Sequence, residues 1–264
     1  MMTEDFLRTV PTTRYQGSKR KILPWLYDCI NEYEFHSVLD AFGGSGMVSY
    51  LFKRMGKRVT YNDLYRFNHT IGESIIENNR ILLSESDVVY LLSSSKNRDS
   101  FIHDNFQGIY YLDEENQWLD QIIQNIESLE ELYDGKKLKF KKAIAYNALF
   151  QSCLAKRPYN LFHRKNLEMR TRHVQRGFGN KTTWDKPFYE HFQSFVNEIN
   201  KSVYYSKEFS LDVLLYRISI NFNSLIFSVC LKSCQAIKNC IMATNNPAAR
   251  LPNSPPHLLS GLSV

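Results

Sequence analysis

Hydrophobic positions in the first part of the chain switch between the spacing of helices and that of strands. Apolar residues recur on one helical face in some segments, and they alternate or cluster in short runs in others. The predicted elements are, in order, a helix over 19–33, a strand over 37–42, a helix over 47–55, a strand over 58–62 and a helix over 69–79. Glycines follow the first strand, and Gly56 is the expected stop of the second helix. This order predicts a βαβ unit with a right-handed crossover.

Beyond residue 80 the apolar positions have helical spacing. The stripes over 118–133, 140–150 and 188–203 each predict one helix. The stretch between the last two, from Lys156 to Lys186, is rich in Arg, Lys, Asn and Gly and predicts loops. The pattern therefore indicates an α/β part followed by a mainly helical part.

Composition narrows the class of protein. The chain has 264 residues, of which 43% are hydrophobic and 23% charged, which suits a protein with a core and argues against a disordered or fibrous one. No apolar run reaches the ~18–20 residues of a membrane span, and the first residues lack the pattern of a signal peptide. Five cysteines at irregular spacing fit a reduced cytoplasmic protein and no zinc site. We therefore expect a cytoplasmic location, no membrane partner and no metal.

Positive charge is concentrated in the middle of the chain. The segment from Lys136 to Lys181 holds thirteen Lys and Arg residues and one acid, Glu168, although the net charge of the whole chain is +6. Such a basic segment indicates a polyanionic partner, of which nucleic acid is the usual one, or else a solvated helical face. Aromatic residues among the cations, such as Tyr159 and Trp184, favour nucleic acid because they can stack on bases.

The glycine turn after the first strand is a candidate binding site. The run Asp40-Ala-Phe-Gly-Gly-Ser-Gly46 joins this strand to the next helix, and glycines let backbone amides approach a ligand closely. The dinucleotide pattern G-x-G-x-x-G is incomplete because Ser49 stands at its third glycine. A phosphate-binding loop of the G-x-x-x-x-G-K-[ST] type does not occur.

Two acids beside this turn suggest its ligand. Asp63, at the end of the second strand, is placed to accept the hydroxyls of a ribose. Asp40, at the end of the first strand, is placed to face an ammonium group. A ligand with an adenosine ribose and an amino-acid amine, and without phosphate, satisfies both acids. That ligand is S-adenosylmethionine, and the alternative is a tight structural turn that binds nothing.

These residues resemble the adenine-specific DNA N6-methyltransferases of the Dam and D12 class. The run Asp40 to Gly46 is similar to the family's D-x-F-x-G-x-G cofactor motif, and Arg14 to Arg20 is similar to its N-terminal Y/W-x-G-x-K element. Tyr61-Asn62-Asp63-Leu64 matches its N-D-hydrophobic segment. The block from Lys156 to Pro187 also resembles a subgroup of these enzymes, so that the likeness covers about residues 8–207.

The resemblance implies a fold and a set of binding residues. The fold would be α/β, a partial Rossmann-like methyltransferase sheet with an inserted, mainly helical target-recognition region. Residues 1–92 would bind S-adenosylmethionine, 93–207 would recognise duplex DNA, and 208–264 form an atypical tail. The cofactor-binding residues implied are Tyr15, Lys19, Asp40, Phe42, Gly44, Gly46 and Asp63. The DNA contacts that we expect in the basic segment are Arg164, Lys165, Arg170, Arg172 and Lys181.

The activity implied is transfer of a methyl group from S-adenosylmethionine to adenine N6 in duplex DNA. Such an enzyme would be bacterial and nucleoid-associated, with a cognate restriction endonuclease as a second partner. The reaction needs a D/N-P-P-Y loop, which holds the exocyclic amine and stacks on the flipped adenine. No Asp-Pro-Pro-Tyr occurs, and the Pro255-Pro256 pair follows no strand-like run. The catalytic residues are therefore unknown.

The last part of the chain differs in composition from the rest. After Asp212, 52 residues contain no Asp or Glu, whereas the residues up to that point contain all 27. Together with the missing loop, this indicates the front part of a methyltransferase followed by an out-of-frame tail, inactive unless a second polypeptide supplies the rest; the alternative is a genuine polar tail without acids. Two alternatives stay open, a non-catalytic DNA-binding remnant and an RNA adenine methyltransferase.

Overall fold

A computed structural model of the chain describes residues 9–94, 100–160, 162, 167–172 and 180–205. In these ranges the strands are β1 (Ser37–Asp40) and β2 (Arg58–Tyr61). The helices are α1 (Leu23–Ile30), α2 (Met47–Arg54), α3 (Arg66–Gly72), α4 (Glu85–Leu92), α5 (Phe101–Phe106), α6 (Asp113–Glu127), α7 (Gly135–Ala155), α8 (Glu168–Thr171), α9 (Asn180–Asp185) and α10 (Phe188–Ser202). A π-helical turn (Glu73–Glu77) follows α3, and 3-10 turns lie at Arg20–Ile22, Ser128–Glu131 and Pro158–Asn160. None of the described helices is long and apolar enough to cross a membrane.

The two strands form a small parallel sheet with α2 as its crossover. Val38 lies opposite Val59, and Asp40 lies opposite Tyr61. Val59 and Tyr61 point to the same face because side chains alternate along a strand, and both are fully buried. Among the described residues β1 pairs with β2 alone, and Leu39 on β1 is 38% exposed. The described chain is mostly helical, and its sheet agrees with the predicted α/β class.

Helix α2 lies between two glycines. Gly46 precedes it with φ +74°, and Gly56 follows it with φ +72°, a backbone conformation that a residue with a Cβ adopts only under strain. The two glycines therefore set the length of the crossover. The predicted helix over 47–55 and the strands over 37–42 and 58–62 are confirmed to within two residues.

The helices that flank this unit differ from the prediction at their ends. The helix expected over 19–33 ends at Ile30, because the chain folds into a turn in which the amide of Tyr33 bonds to the carbonyl of Ile30. The helix expected over 69–79 begins at Arg66 and widens into the π-helical turn. Lys53 from α2 bonds to two carbonyls at the end of that turn, those of Ile75 and Asn78.

Helix α7 is the centre of the helical part. It packs against α10, α3 and the π-helical turn. The apolar stripe predicts 140–150, but the helix extends over 135–155, and buried polar residues lie both within the stripe and, at Gln151 and Ser152, beyond its end. Lys141 is buried in an ion pair with Asp87, and Asn147 donates to the Ser74 hydroxyl at 2.8 Å. Hydrophobic periodicity cannot detect such positions.

The stretch 156–186 is not all loop. It contains the 3-10 turn at Pro158–Asn160 and the short helices α8 and α9. The helix predicted from the stripe over 118–133 also begins earlier than expected, at Asp113. The stripe does not indicate this start because the first turn of α6 is polar. Glu115 accepts a hydrogen bond from the Leu112 amide at 3.1 Å and so caps this start.

Candidate functional site

The glycine turn lies where the carboxyl ends of β1 and β2 meet. The amide of Gly43 donates to the carbonyl of Asn62 at 2.9 Å, and the Asn62 side chain donates to the carbonyl of Ala41 at 2.7 Å. These two bonds join the residues that follow the two strands. The turn therefore has a fixed backbone between the two candidate acids, Asp40 and Asp63.

The carboxylate of Asp63 is bound to the turn. Its Oδ2 accepts from the amide of Gly44 at 2.8 Å, and its Oδ1 accepts from the amide of Tyr65 at 2.9 Å and the side chain of Asn68 at 3.0 Å. A carboxylate offers about four acceptor positions. Donors among the described residues fill three of them, and the fourth position has no donor in that part of the chain.

Tyr15 belongs to the same network although it is far away in sequence. The buried Asn68 that bonds to Asp63 also lies 3.3 Å from the Tyr15 hydroxyl. A Cβ built on Gly44 would lie 3.6 Å from the Tyr15 ring, so the ring lies beside the turn. Three of the predicted cofactor residues, Tyr15, Gly44 and Asp63, are thus brought together by the fold.

Sequence reasoning missed two residues that hold this network. Asn68 is one, and it lies at a helix position that no periodicity distinguishes. The other is Tyr61, whose hydroxyl donates to the carbonyls of Gly44 at 2.7 Å and Asn68 at 3.0 Å. Its ring lies between Gly43 and Gly72. The available signal was the glycine at position 72 inside a predicted helix, which indicates close packing.

Asp40 lies at the end of β1 and bonds to the first part of α2. Its Oδ2 accepts from the Ser49 hydroxyl at 2.5 Å. Burial raises the pKa of Asp40, and the hydrogen bond from Ser49 opposes this shift. Ser49 is the residue that breaks the dinucleotide pattern, and the structure gives it the role of positioning this carboxyl group.

The remaining predicted cofactor residues surround the turn. Gly46 starts α2, and Phe42 is 49% exposed at the front of the turn. Lys19 is exposed and donates to the carbonyl of Gly17 at 2.8 Å, within its own turn. A contact of 3.3 Å between the hydroxyls of Ser18 and Ser45 joins that N-terminal turn to the glycine turn.

Replacement of Gly43 by alanine should destabilise the fold. A Cβ at this position would overlap the buried Tyr61 ring. The ring has no room to move, because Gly72 packs so closely on its other face that a Cβ there would lie only 2.8 Å from a ring carbon. We expect a loss of about 1–3 kcal/mol in the free energy of unfolding, measured by urea denaturation.

The control for this prediction is Gly108→Ala. Gly108 has φ +65° and open space around its Cβ position, so alanine there adds backbone strain alone, about 1 kcal/mol. Equal losses for both variants would contradict the packing of the turn on Tyr61.

The predicted DNA contacts have different outcomes. Arg164 and Lys165 lie outside the described residues, as does the side chain of Lys181. Arg172 is exposed and pairs with Glu168 at 2.6 Å on α8. The segment 206–264, which holds the acid-free tail and the Pro255-Pro256 pair, also lies outside them.

The prediction for Arg170 has to be corrected. It is buried, and its two terminal nitrogens bond to both carboxylate oxygens of Glu115 at 2.6 and 2.7 Å. A shift of this guanidinium toward a phosphate would break the bidentate pair and leave the buried carboxylate of Glu115 without this partner, which costs free energy. The expectation that Arg170 contacts DNA is therefore wrong, since the residue holds α8 against α6.

Other cations of the basic segment are also structural. Lys156 is buried, lies 2.6 Å from Glu115 and donates to the carbonyl of Lys186 at 2.8 Å. Burial alone would raise the pKa of Glu115, but hydrogen bonds from Arg170 and Lys156 bring it below its usual value. Arg157 is fully buried near aromatic rings. The charge that this segment presents to solvent is therefore smaller than its sequence count.

The known proteins to which this chain is similar are methyltransferases. The family model of the D12 class N6 adenine-specific DNA methyltransferases matches residues 15–206. The chain is 26% identical over 199 residues to the type II methyltransferase M2.HphI of Haemophilus parahaemolyticus, which covers 74% of this chain and 56% of that protein. It is 27% identical over 124 residues to the type II methyltransferase M.NlaIII of Neisseria lactamica, covering 43% and 37% of the two chains.

The chain spans about half the length, or less, of these curated relatives. No solved structure matches the chain. The matched region contains the N-terminal turn, the glycine turn, Asp63 and the basic segment.

Proposed function

Because the chain belongs to the D12 class of N6 adenine-specific DNA methyltransferases, we propose that its glycine turn binds S-adenosylmethionine for methyl transfer to adenine N6 in duplex DNA. The observation that carries the cofactor site is the position of Asp63. Its carboxylate is held across the turn by the Gly44 amide, and one acceptor position faces no protein donor among the described residues. That position suits a ribose hydroxyl.

The other residues of the turn have complementary roles in this proposal. Asp40 would attract the amino group of the ligand, and the approach of an ammonium would favour the ionised form of a carboxyl group whose pKa burial has raised. Gly44 and Gly46 let the backbone come close, and the exposed ring of Phe42 would cover an apolar part of the ligand. Lys19 would close the pocket from the N-terminal side.

Bound S-adenosylmethionine supplies a methyl group on a positively charged sulfur. The residues of this chain would hold the donor by its sugar and its amino-acid part, and this fixes the direction in which the methyl group points. The sheet that carries the turn would be part of a Rossmann-like arrangement, with residues 1–92 for the donor and 93–207 for DNA. No described residue is assigned to the adenine.

The region that would recognise DNA contains a strained and exposed aromatic residue. Tyr159 and Asn160 follow each other with φ +57° and +56°, in the left-handed region that residues with a Cβ adopt at a cost of about 1–3 kcal/mol each. The Tyr159 side chain is 62% exposed. A strained turn that presents a ring to solvent fits stacking on a base, and Arg172 and Lys181 would contact phosphates nearby.

Titration calorimetry of the full chain tests the cofactor site. We expect heat of binding with S-adenosylmethionine, with a dissociation constant on the order of micromolar to millimolar, and none with a nicotinamide dinucleotide. The reverse result would contradict the proposal, because the incomplete dinucleotide pattern would then be functional.

Transfer of a labelled methyl group tests the reaction and its substrate. Duplex DNA and RNA of the same sequence are compared as acceptors, with and without a second polypeptide that carries a D/N-P-P-Y loop, and an intact adenine methyltransferase serves as the positive control. Label on adenine N6 of DNA supports the proposal, and label confined to RNA would replace the substrate while the cofactor site remains.

A further inference from the structure

A cleft lies between the N-terminal segment, the end of α9 and α10. Its volume is about 300 Å³. Thr12 and Arg14 line one side, and Lys186 and Glu198 are among the residues that line the other. Nothing in the proposed cofactor site uses this cleft.

Positive charge dominates the cleft. Arg14 and Lys186 line it directly, and Glu198 is the acid among its described lining residues. The pKa of the buried His191 in its wall responds to this charge. Burial lowers the pKa of His191, and the charges of Lys156, Lys186 and Arg14 lower it further against a hydrogen bond to the Thr183 carbonyl.

The segment that carries Arg14 is held on both sides. The amide of Arg14 donates to the Gln151 side chain on α7 at 3.0 Å. Both the amide and the hydroxyl of Thr12 donate to Glu198 on α10, the amide at 3.1 Å. The guanidinium of Arg14 has no carboxylate partner within the described part of the chain. The backbone at Arg14 is therefore held in place, and no carboxylate of the described residues engages the five donors of its guanidinium.

Hydroxyl groups complete the lining. Thr182, Thr183 and Ser194 lie in the wall of the cleft, and Lys186 makes a long, exposed contact of 3.5 Å with Glu190. Exposed pairs of this kind contribute little, so Lys186 can turn to another anion at small cost. An arginine fork, a lysine and several hydroxyls together match the oxygens of a phosphate group.

We propose that this cleft binds a phosphate group of the DNA backbone, an inference that rests on the proposed function of the chain. The cleft is larger than one phosphate and admits the sugar attached to it, which favours a phosphodiester over the free ion. Arg14 also directly precedes Tyr15, whose ring lies beside the glycine turn. A strand held here would run next to the methyl donor.

Fluorescence anisotropy with a labelled duplex tests the cleft. We expect Arg14→Gln and Lys186→Gln each to weaken DNA binding about tenfold, equally for all sequences, and to reduce the slope of log affinity against log salt by ~0.9. The control is Lys201→Gln, which removes the same charge from the exposed far end of α10. It should leave affinity within about twofold of the wild type and is expected to change the slope less.

Glu198→Gln gives a change of opposite sign. Glutamine keeps an acceptor for Thr12 and removes the negative charge from the cleft. We expect DNA binding to become about two- to threefold tighter, which a merely destabilised protein would not show. Unchanged or weaker binding of this variant, with Arg14→Gln like the wild type, would overturn the phosphate site.

Inorganic phosphate separates the two sources of the ligand. If phosphate gives calorimetric heat that Arg14→Gln abolishes, while DNA binding is unchanged, the cleft binds free phosphate and the DNA backbone is overturned as its ligand. If the wild type binds S-adenosylmethionine and DNA but neither variant differs from it and phosphate gives no heat, the cleft proposal fails and the proposed function stands. If the wild type binds no DNA, the proposed function fails, and the heat with phosphate alone decides for or against the cleft.

Discussion

Replacing Asp63 by alanine should weaken S-adenosylmethionine binding by about a hundredfold or more. The variant removes the acceptor proposed for the ribose, and it also frees the Gly44 amide and the Asn68 side chain that the carboxylate holds. Hydrogen bonds to a charged group contribute about 1.5–3 kcal/mol each, and a hundredfold loss corresponds to about 2.7 kcal/mol. Titration calorimetry measures the change.

Two further variants make this result specific. Asp63→Asn keeps the shape and one acceptor oxygen, so we expect a smaller loss, on the order of tenfold. Asp28→Ala removes an exposed acid of α1 and should bind like the wild type. Circular dichroism confirms that each variant is folded. A folded Asp63→Ala variant with nearly normal affinity would show that the acid only supports the turn.

The second large effect concerns the buried Lys53. Its Nζ donates to the carbonyl of Ile75 at 2.9 Å and of Asn78 at 2.7 Å, at the end of the π-helical turn. A neutral amine has two N–H groups and satisfies both acceptors. Burial lowers the pKa of Lys53 to about 7, and the neighbouring charge of Arg54 adds to this shift.

This shift makes stability depend on pH in a defined direction. The unfolded chain binds a proton at this lysine up to its ordinary pKa near 10.5, whereas the folded chain releases it above about 7. Stability contributed by Lys53 therefore rises with pH from about 7 to 10.5 and is lowest below 7. Between pH 7 and 9.5 the rise should be about 3 kcal/mol.

The comparison with Lys53→Met isolates this contribution. Methionine does not titrate, so the difference in unfolding free energy between wild type and variant should grow with pH over this window. Urea denaturation at several pH values measures it, and Lys21→Met, which replaces an exposed lysine, is the control. A difference that stays constant with pH would mean that Lys53 is charged in the folded protein.

Parts of the fold and of the candidate site follow from local pattern. Strand alternation predicts β2, and glycine positions predict both ends of α2, because these features depend on neighbours in sequence. The carboxyl ends of parallel strands meet at one edge, so the pattern also brings Asp40 and Asp63 to the same turn. The roles of Asn68 and Tyr61 could not be predicted, because their partners come from other elements.

The count of charged residues was the least reliable basis for predicting DNA contacts. The count of cations in the basic segment predicted Arg170 as a DNA contact, but the fold places it in a buried pair with Glu115. Lys141, Lys156 and Arg157 are likewise buried. A sequence count cannot separate a cation that faces an acid inside the protein from one that faces solvent, since the acid lies far away along the chain.

The sequence by itself determined the βαβ order, the glycine turn with its two acids, and the family to which these motifs point. Each depends on the conformational freedom of glycine or on the period of a helix or strand, which are properties of short segments. Only the tertiary structure decided which cations are available, how Tyr15 reaches the turn, and that Arg14 and Lys186 line the same cleft. Such contacts join residues that are far apart in sequence, and packing of the whole fold brings them together.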